Sequence, residues 1–251
     1  MITIGSDAVL SVFVLFCRIG ACLMLMPGIS SPRIPVKVRL LLAFAITLGL
    51  APLLSSEIGP KLSEAPPFAL LQIIGAESVI GALIGFVGRV FFGALETLSS
   101  AIAMAIGLSS SLTPAPDENE PLPSVVSLIS LGATMLFFLT DLHWEVLRGL
   151  VASYAAWPIS GLFNAQFGLA QVGDCLARSF ALALQISSPF IVYSLIINLA
   201  IGLAAKFAPQ IPIYFVTVPA VTFGGLFLLY MTCRQIMELF IAGFAIWLGS
   251  G

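Results

Sequence analysis

Long apolar stretches, separated by short polar or proline-rich segments, run along almost the whole chain. A hydrocarbon core about 30 Å thick requires about 20 mostly apolar residues per helix. The pattern therefore predicts an all-α fold of six or seven hydrophobic helices. These stretches lie at residues 8–26, 38–54, 68–88, 90–112, 124–140, 179–205 and 213–248.

The interruptions between these stretches are rich in proline and glycine. Open backbone groups are not tolerated in lipid, so the interruptions are either loops in water or segments buried against protein. The last stretch is too long for one straight span, and Gly224, Gly225 and residues 233–235 indicate a bend or the turn of a hairpin inside it. The other interruptions lie at residues 27–28, 32–35, 66–67, 114–123 and 208–212.

Composition places the chain among integral membrane proteins. Hydrophobic residues make up 59% and charged residues 9%, and the mean hydropathy is +1.11. The formal net charge of −2 offers no basic surface, which argues against nucleic acid as a partner. We expect a single membrane domain over residues 1–251, with its first apolar stretch retained rather than cleaved.

Cysteine and histidine usage gives no sign of metal or redox chemistry. The cysteines lie in apolar stretches without redox-pair or metal spacing, so they are predicted to be small buried apolar side chains. The single histidine, His143, has no second histidine to complete a zinc or haem site. Without a histidine pair, a GxSxG motif or facing aspartates, we expect no enzyme activity and no cofactor. The cysteines are Cys17, Cys22, Cys175 and Cys233.

Charged residues inside or at the margins of the apolar stretches need an explanation. At the centre of a bilayer each costs about 2.5–3.5 kcal/mol on insertion scales. We expect pairing or snorkelling for most of them, and a hydrophilic path or subunit contact is the alternative. They are Arg18, Glu77, Arg89, Glu96, Arg178, Lys206, Arg234 and Glu238.

Three further patterns concern helix packing, the sides of the membrane on which the loops lie, and a proline-rich segment. Gly81, Gly85 and Gly88 share one helix face, which predicts a close helix-packing seam, within the chain or with another subunit. Basic residues at 33, 37 and 39 place the first loop on the cytoplasmic side, whereas the acidic segments at 57–64 and 117–120 favour the outer side. Residues 107–123 contain four prolines, so they form either a solvated connector or a segment that lines or blocks a pore.

Several motifs occur in an order that resembles a known family. They are C-R-I-G-A-C-L-M-L-M-P-G, P-R-I-P-V-K-V-R-L-L-L-A, I-G-A-L-I-G-F, A-M-A-I-G-L-S, L-F-F-L-T-D-L-H-W and N-L-A-I-G-L-A-A-K-F-A-P-Q. Together they resemble the FliR family of flagellar export-gate proteins over nearly the whole chain. The most specific are Ile34-Pro35 with the following basic residues, and residues 198–210. The chain departs from the family after Gly107, where many relatives have aromatic residues and a V-D-P turn.

The resemblance implies a place in a larger machine. One copy of such a subunit joins several FliP-like and FliQ-like proteins in a helical ring, the entry channel of a type III secretion system, and associates with FlhA-like and FlhB-like export proteins. Unfolded flagellar subunits pass through its pore. In the family the subunits form helical hairpins whose assembled body projects from the plane of the bacterial inner membrane, at the flagellar basal body.

The resemblance also implies roles for particular residues. It assigns a pore-plug loop to Gly107, Leu108, Ser109, Leu112, Pro114, Asp117, Glu118 and Glu120. Subunit contacts or helix breaks are expected from the residues themselves, since close glycine faces and interrupted helices both offer contacts to a neighbour. These residues are Arg33, Pro35, Lys37, Arg39, Glu77, Gly81, Gly85, Asn198, Gly202, Lys206, Pro209 and Gln210. Two alternatives stay open: the homologous injectisome subunit, SctT, and a secondary transporter, since such proteins also build sites from broken helices.

Overall fold

The computed structural model describes residues 6–31, 34–63, 66–108, 124–159, 165–207, 210 and 213–250. Within these ranges the chain forms seven α-helices and no strand, which confirms the all-α prediction. The helices are α1 (Ser6–Leu25), α2 (Val36–Ser63), α3 (Pro67–Ala105), α4 (Ser124–Leu139), α5 (Leu142–Ala156), α6 (Ala165–Phe207) and α7 (Ile213–Ser250).

Five of the described helices contain a segment long and apolar enough to cross a membrane. A sixth candidate is the bent pair formed by residues 125–139 of α4 and 142–156 of α5. The bend lies at Asp141, whose positive φ of 57° ends α4. Aspartate is among the few non-glycine residues that adopt this left-handed conformation readily. A multi-helix membrane fold is therefore confirmed.

Three helices differ from the predicted pattern. The stretch 68–88 and residues 90–105 of the next stretch form one helix, α3, because Arg89 is exposed and its charge does not end the helix. Helix α5 lay outside the apolar stretches, since exposed Glu145 and Arg148 and half-buried His143 interrupt the apolar sequence, although they do not interrupt the buried side of the helix. The hairpin interpretation within 213–248 is wrong, because α7 is continuous from Ile213 to Ser250.

The chain divides into two compact units, each with its own core. Over the described residues, the first contains residues up to 90 and 143–176, and the second contains 91–142 and 177–250. Helices α3 and α6 contribute to both. In the first unit, α1 packs against α2, with the rings of Phe16 and Phe44 edge to face at 6.3 Å.

The second unit is organised around an aromatic cluster. Phe92 of α3 and Phe137 of α4 meet Phe240 and Phe244 of α7, with ring centroids 5.1–6.0 Å apart. Their edge-to-face arrangement adds to the free energy gained by burying the rings. Phe137, Phe240 and Phe244 are almost completely buried. The cluster therefore ties three helices of this unit together.

A proline inside α6 does not end the helix. Pro189 lacks an N–H group, so it leaves the carbonyl of Gln185, four residues earlier, without its helical donor. The hydroxyl of Ser188 donates to that carbonyl at 2.9 Å. The side chain therefore replaces the missing backbone hydrogen bond, and α6 continues over 43 residues.

Candidate functional site

A buried ion pair joins α1 and α3 in the first unit. Arg18 and Glu77 are both buried, although each lies within an apolar helix. The Nε of Arg18 donates to one carboxylate oxygen of Glu77 at 2.6 Å, and Nη2 donates to the other at 2.7 Å. Such a two-point contact fixes the orientation of both side chains and satisfies charges that apolar surroundings penalise.

The same arginine also reaches the end of α5. Its Nη1 donates to the hydroxyl of Ser153 at 3.0 Å, and Nη2 donates to the carbonyl of Trp157 at 2.9 Å. The guanidinium carbon lies 4.0 Å from the ring centroid of Tyr154, which is a cation–π contact. Since Trp157 follows the last residue of α5, Arg18 caps the carboxyl end of that helix. One side chain therefore connects three helices.

Glycines of α3 give this pair the close helix approach that it needs. A Cβ atom built on Gly81 would overlap the backbone carbonyl of Arg18, and one on Gly85 would overlap that of Cys22. One turn further, Gly88 faces the ring of Pro27. The predicted glycine face is thus a packing seam against α1 of the same chain. Glu77, Gly81 and Gly85 lie inside this seam and contact α1 of the same chain.

Arg39, in the first turn of α2, forms hydrogen bonds to the segment that precedes this helix. Half-buried Arg39 donates to the carbonyls of Ile34 and Ser31 at 2.8–3.0 Å. Pro35 precedes α2, and its carbonyl accepts the first backbone hydrogen bonds of that helix. Pro35 and Lys37 are exposed. Arg39 therefore holds Ser31 and Ile34 close to the start of α2. Lys37 is exposed, and Arg33 lies outside the described residues.

The end of α6 presents a row of exposed residues on one helix face. Asn198, Gly202 and Lys206 are spaced by four residues, and all are exposed. The amide of Asn198 donates to the hydroxyl of Ser194 at 3.3 Å. Nothing lies within 4 Å of a Cβ built on Gly202. The predicted helix break falls between Phe207 and Ile213, with exposed Gln210 in a turn; Pro209 is not among the described residues.

The end of α3 sets the direction in which the predicted plug loop departs. Gly107 has a positive φ of 76°, and its N–H donates to the carbonyl of Met104 at 3.1 Å. The N–H of Leu108 donates to the carbonyl of Ala103 at 2.8 Å. These two bonds form a Schellman motif, in which glycine takes the left-handed position. Ser109, Leu112, Pro114, Asp117, Glu118 and Glu120 lie outside the described residues.

Cysteine placement differs from the prediction in one case. Cys22 and Cys175 are buried and Cys17 is half-buried, but Cys233 is exposed on α7. The prediction of a buried side chain is therefore wrong for Cys233, because no other helix among the described residues covers it. No group of three or more potential metal ligands occurs in the part of the chain that the structure describes.

Sequence patterns alone missed most of the partners of Arg18. Ser153, Tyr154 and Trp157 belong to α5, which the apolar pattern did not identify as a helix. The signal that was present is the need of a buried arginine for several acceptors. Glu77 supplies two of them, and the rest must come from other helices of the chain. A search for polar groups at helix ends would have pointed to Trp157.

These features define a class of protein: an all-α, multi-pass membrane protein with charges paired inside its helical core and with exposed polar positions on its longest helices. Residues 9–246 match the family described as Bacterial export proteins, family 1. The chain belongs to this family.

Individual relatives are similar over most of their length. A flagellar biosynthetic protein FliR of Caulobacter vibrioides is 34% identical over 88% of this chain and 87% of its own length. The protein of the same name from Escherichia coli is 28% identical, over 84% of this chain and 80% of the relative. The Yop proteins translocation protein T of Yersinia pestis is 26% identical, over 88% and 85%.

Proposed function

We propose that this chain is a subunit of the flagellar type III protein export gate in the bacterial inner membrane. The observation that carries the proposal is the family match over residues 9–246 together with the similarity to FliR proteins. The subunit forms part of the channel through which unfolded flagellar proteins leave the cell during flagellum assembly. The injectisome alternative is less favoured, because the Yersinia relative is less similar, at 26% identity.

The partners follow from this role. The chain joins FliP-like and FliQ-like subunits in the gate, and FlhA-like and FlhB-like proteins dock nearby. Residues 1–251 act as one membrane domain in this assembly. Its proposed role is structural: the chain positions helices around a pore, and this role does not require catalysis of a covalent reaction. Support comes from Arg18, whose buried guanidinium pairs with Glu77, Ser153 and the carbonyl of Trp157 inside the helical core.

Helix length supports a body that extends beyond the bilayer. Helices α3, α6 and α7 contain 39, 43 and 38 residues. At about 1.5 Å per residue they are about 57–65 Å long, roughly twice the thickness of a hydrocarbon core. A helix of this length does not fit into one perpendicular crossing. The proposed gate accommodates it, because assembled subunits bury the surplus length against each other.

The loop after Gly107 acts as the plug of the channel in this proposal. The Schellman motif at the end of α3 fixes the point from which the loop leaves. In this proposal Leu108 and Leu112 supply the apolar contacts of the plug. Its acidic residues, at 117, 118 and 120, form the solvated outer part. Displacement of the loop by an export substrate opens the channel.

The plug is tested by replacing residues 109–123 with a short Gly-Ser linker in the purified gate. We expect higher ion conductance in lipid bilayers than for the unaltered gate. A matched control replaces Asp117, Glu118 and Glu120 with Asn, Gln and Gln, which keeps the loop length. Equal conductance of the linker variant and the unaltered gate would contradict the plug.

The exposed row on α6 is the proposed contact with a neighbouring subunit. Asn198 and Lys206 supply polar groups, and Gly202 between them lets a partner helix approach closely. A Lys206→Ala chain should co-purify with its partner subunits less efficiently than the unaltered chain. Arg148→Ala, which removes an exposed cation from the Arg148–Glu145 pair on α5, serves as the control. If Lys206→Ala co-purifies as well as the unaltered chain, the row is not a subunit contact.

Native mass spectrometry of the tagged chain, co-expressed with its neighbouring membrane genes, tests the function itself. We expect one copy of the chain within a large hetero-oligomer. A lone monomer or a homodimer would contradict the gate assignment and would favour a transporter.

A further inference from the structure

The first part of α3 exposes no charge. Residues 67–88 number 22, which gives about 33 Å at about 1.5 Å per residue and matches a hydrocarbon core of about 30 Å. The one charged residue of this segment, Glu77, is buried against Arg18. Its exposed side chains are apolar except for one amide near the start of the helix. They are Pro67, Phe68, Leu71, Gln72, Val79 and Phe86.

Arg89 ends this uncharged segment. It is exposed, and it follows Phe86 by three residues, so the two side chains lie on the same side of α3. Between Arg89 and the end of α3 at Ala105 there is no room for a second span of about 20 residues. A membrane span on this helix that avoids an exposed charge therefore lies within residues 67–88. Beyond it, α3 continues for about 24 Å.

Arg89 is the one arginine that the structure describes whose side chain has no partner among the described residues. Even Arg234, which is 88% exposed, donates to a carboxylate oxygen of Glu238 at 2.7 Å. Since a guanidinium group has five N–H donors and no acceptor, Arg89 takes its acceptors from outside the chain. The arginines with partners are Arg18, Arg39, Arg148, Arg178 and Arg234.

The end of α1 lies at the same height as this arginine in the first unit. Gly81 of α3 faces Arg18 of α1, and Gly88 faces Pro27, so the two helices run in the same direction. The apolar span of α1 ends at Leu25, two residues before Pro27. The apolar segments of two neighbouring helices therefore end at one height, as they do at the boundary of a bilayer.

A second cation lies near this height, at the start of α2. This helix returns antiparallel to α1, and Phe44 of α2 contacts Phe16 of α1. Lys37 precedes Phe44 by seven residues, so it lies near Leu23 of α1, about one helical turn before Pro27. Lys37 is exposed, and its side chain has no ion pair within the described ranges. The basic residues of this region predict the cytoplasmic side of the membrane.

An acid at this height does not neutralise Arg89. The thiol of Cys175 on α6 donates to the carbonyl of Val87 at 3.7 Å, which brings the neighbouring Asp174 to about the height of Arg89. Asp174 has an interaction of its own, and Arg89 does not take part in it. The positive charge of Arg89 therefore remains available to an anion.

We propose that Arg89 binds the phosphate group of an anionic phospholipid at the edge of the bilayer, and that the acyl chains of this lipid lie along the exposed side of residues 67–88. A guanidinium group binds phosphate through two parallel hydrogen bonds, so the lipid supplies the acceptors that this chain lacks. Lys37 adds attraction for the negative headgroup. Arg89 thus marks the point at which α3 leaves the bilayer.

A lipid accounts for two features together: the uncharged segment is as long as a hydrocarbon core is thick, and it ends at an arginine without a partner. Contact with water alone satisfies the arginine but leaves Phe86 and Val79 exposed to a polar solvent. Contact with a neighbouring helix requires neither the length of the segment nor the cation at its end. The proposal goes beyond the proposed function, since it concerns the position of the chain in the bilayer rather than its partners or its cargo.

Fluorescence quenching measures where the bilayer ends along α3. Val79→Cys and Gly93→Cys are introduced separately into a chain that also carries Cys17→Ala and Cys233→Ala, which leaves the two buried cysteines. Val79 lies about 15 Å before Arg89 and Gly93 about 6 Å after it, and nothing lies within 4 Å of a Cβ built on Gly93. The tagged chain, with the partners that co-purify, is labelled with bimane and placed in nanodiscs of phosphatidylcholine and phosphatidylglycerol.

Lipids with brominated acyl chains should quench most of the fluorescence at Val79→Cys and little at Gly93→Cys, because only the first position lies in the hydrocarbon layer. Aqueous iodide should quench the two labels in the opposite order. If brominated lipid does not quench the label at Val79→Cys, protein or water covers this side of α3 and the proposal is overturned.

A binding measurement tests the contact with the headgroup. The chain and its co-purified partners are titrated with palmitoyl-oleoyl-phosphatidylglycerol in mild detergent, and bound lipid is counted by native mass spectrometry. Arg89→Gln should weaken binding of the tightest lipid by about tenfold, which corresponds to the loss of a charged hydrogen bond. Arg89→Lys keeps the charge without the two-point contact and should give an intermediate affinity. Arg148→Gln, at an exposed arginine that already pairs with Glu145, is the control and should bind like the unaltered chain.

Equal lipid binding by Arg89→Gln and the unaltered chain would overturn the headgroup contact. The same spectra count the subunits that accompany the chain. An unaltered chain that stays alone would therefore contradict the proposed function, while its quenching and lipid binding would still decide the lipid site.

Discussion

Arg18 and Glu77, which are 59 residues apart in the sequence, form a two-point ion pair that is closed to solvent, with contacts of 2.6 and 2.7 Å. Three helices depend on this pair, since Arg18 also binds Ser153 and the carbonyl of Trp157 near the end of α5. A buried pair of this kind contributes to the choice of one packing arrangement, because shifted arrangements leave a charge without its partner.

Removal of one member of the pair should destabilise the first unit strongly. Arg18→Met leaves the Glu77 carboxylate buried without a cation, and we expect a loss of about 3–5 kcal/mol in the free energy of unfolding. The double variant Arg18→Met/Glu77→Leu should lose clearly less. Denaturant unfolding in one detergent measures both, and Arg148→Met at an exposed pair should change stability by less than about 1 kcal/mol. Equal losses in the single and double variants would show that the ion pair is not the cause.

Substitution of two glycines on α3 should have opposite effects. Gly81→Ala places a methyl group against the backbone of Arg18, and overpacking of this kind costs about 1–3 kcal/mol. Gly75→Ala meets nothing within 4 Å and should stabilise the helix by up to about 1 kcal/mol. Thermal unfolding of the two variants in the same detergent measures the difference. If Gly81→Ala is as stable as Gly75→Ala, the seam between α1 and α3 is looser than described.

Substitution at the carboxyl end of α3 should alter the plug loop. Gly107→Ala forces an L-residue into a positive φ, which costs about 1–2 kcal/mol, and its Cβ lies 3.3 Å from the hydroxyl oxygen of Thr222. We expect a modest loss of stability and a higher ion conductance of the purified gate. Gly93→Ala, on the same helix with nothing within 4 Å, is the control. If the conductance of Gly107→Ala is unchanged, the Schellman motif is not required for closure of the channel.

The aromatic cluster of the second unit should respond differently from the aromatic residues on the outside of α7. Phe244→Ala removes a fully buried ring, and we expect a loss of about 3–5 kcal/mol in the isolated chain. Phe223→Ala removes an exposed ring and should leave the stability of the isolated chain nearly unchanged. Thermal unfolding of the two purified variants makes the comparison. Similar losses of stability in the two variants would mean that Phe223 is buried in the isolated chain.

The apolar pattern predicted the fold class and most helix positions, because burial in lipid or protein requires apolar residues over the length of each helix. It failed at α5, where polar residues alternate with buried Leu142, Val146 and Leu150. It also divided α3 at Arg89, since hydropathy treats every arginine as an interruption. Whether a charge ends a helix depends on the direction of its side chain, and that direction is a tertiary property.

The candidate site shows the same division between local and long-range information. The need of Arg18 for a partner was evident from its apolar surroundings, and the glycine face near Glu77 was evident from its spacing. Their pairing was not, because nothing local links α1 to α3. Exposure of Arg234 and Glu238 was also beyond the sequence, since pairing four residues apart on a helix says nothing about which side of the helix faces outward.

The long separation between Arg18 and its partners has a consequence for biosynthesis. Glu77 is made 59 residues after Arg18, and Ser153 is made 135 residues after it. At about 5–20 residues per second, Glu77 follows Arg18 by roughly 3–12 s. During that interval Arg18 has no carboxylate partner from α3. Helix α1 therefore completes its polar contacts only after α3 and α5 have been made.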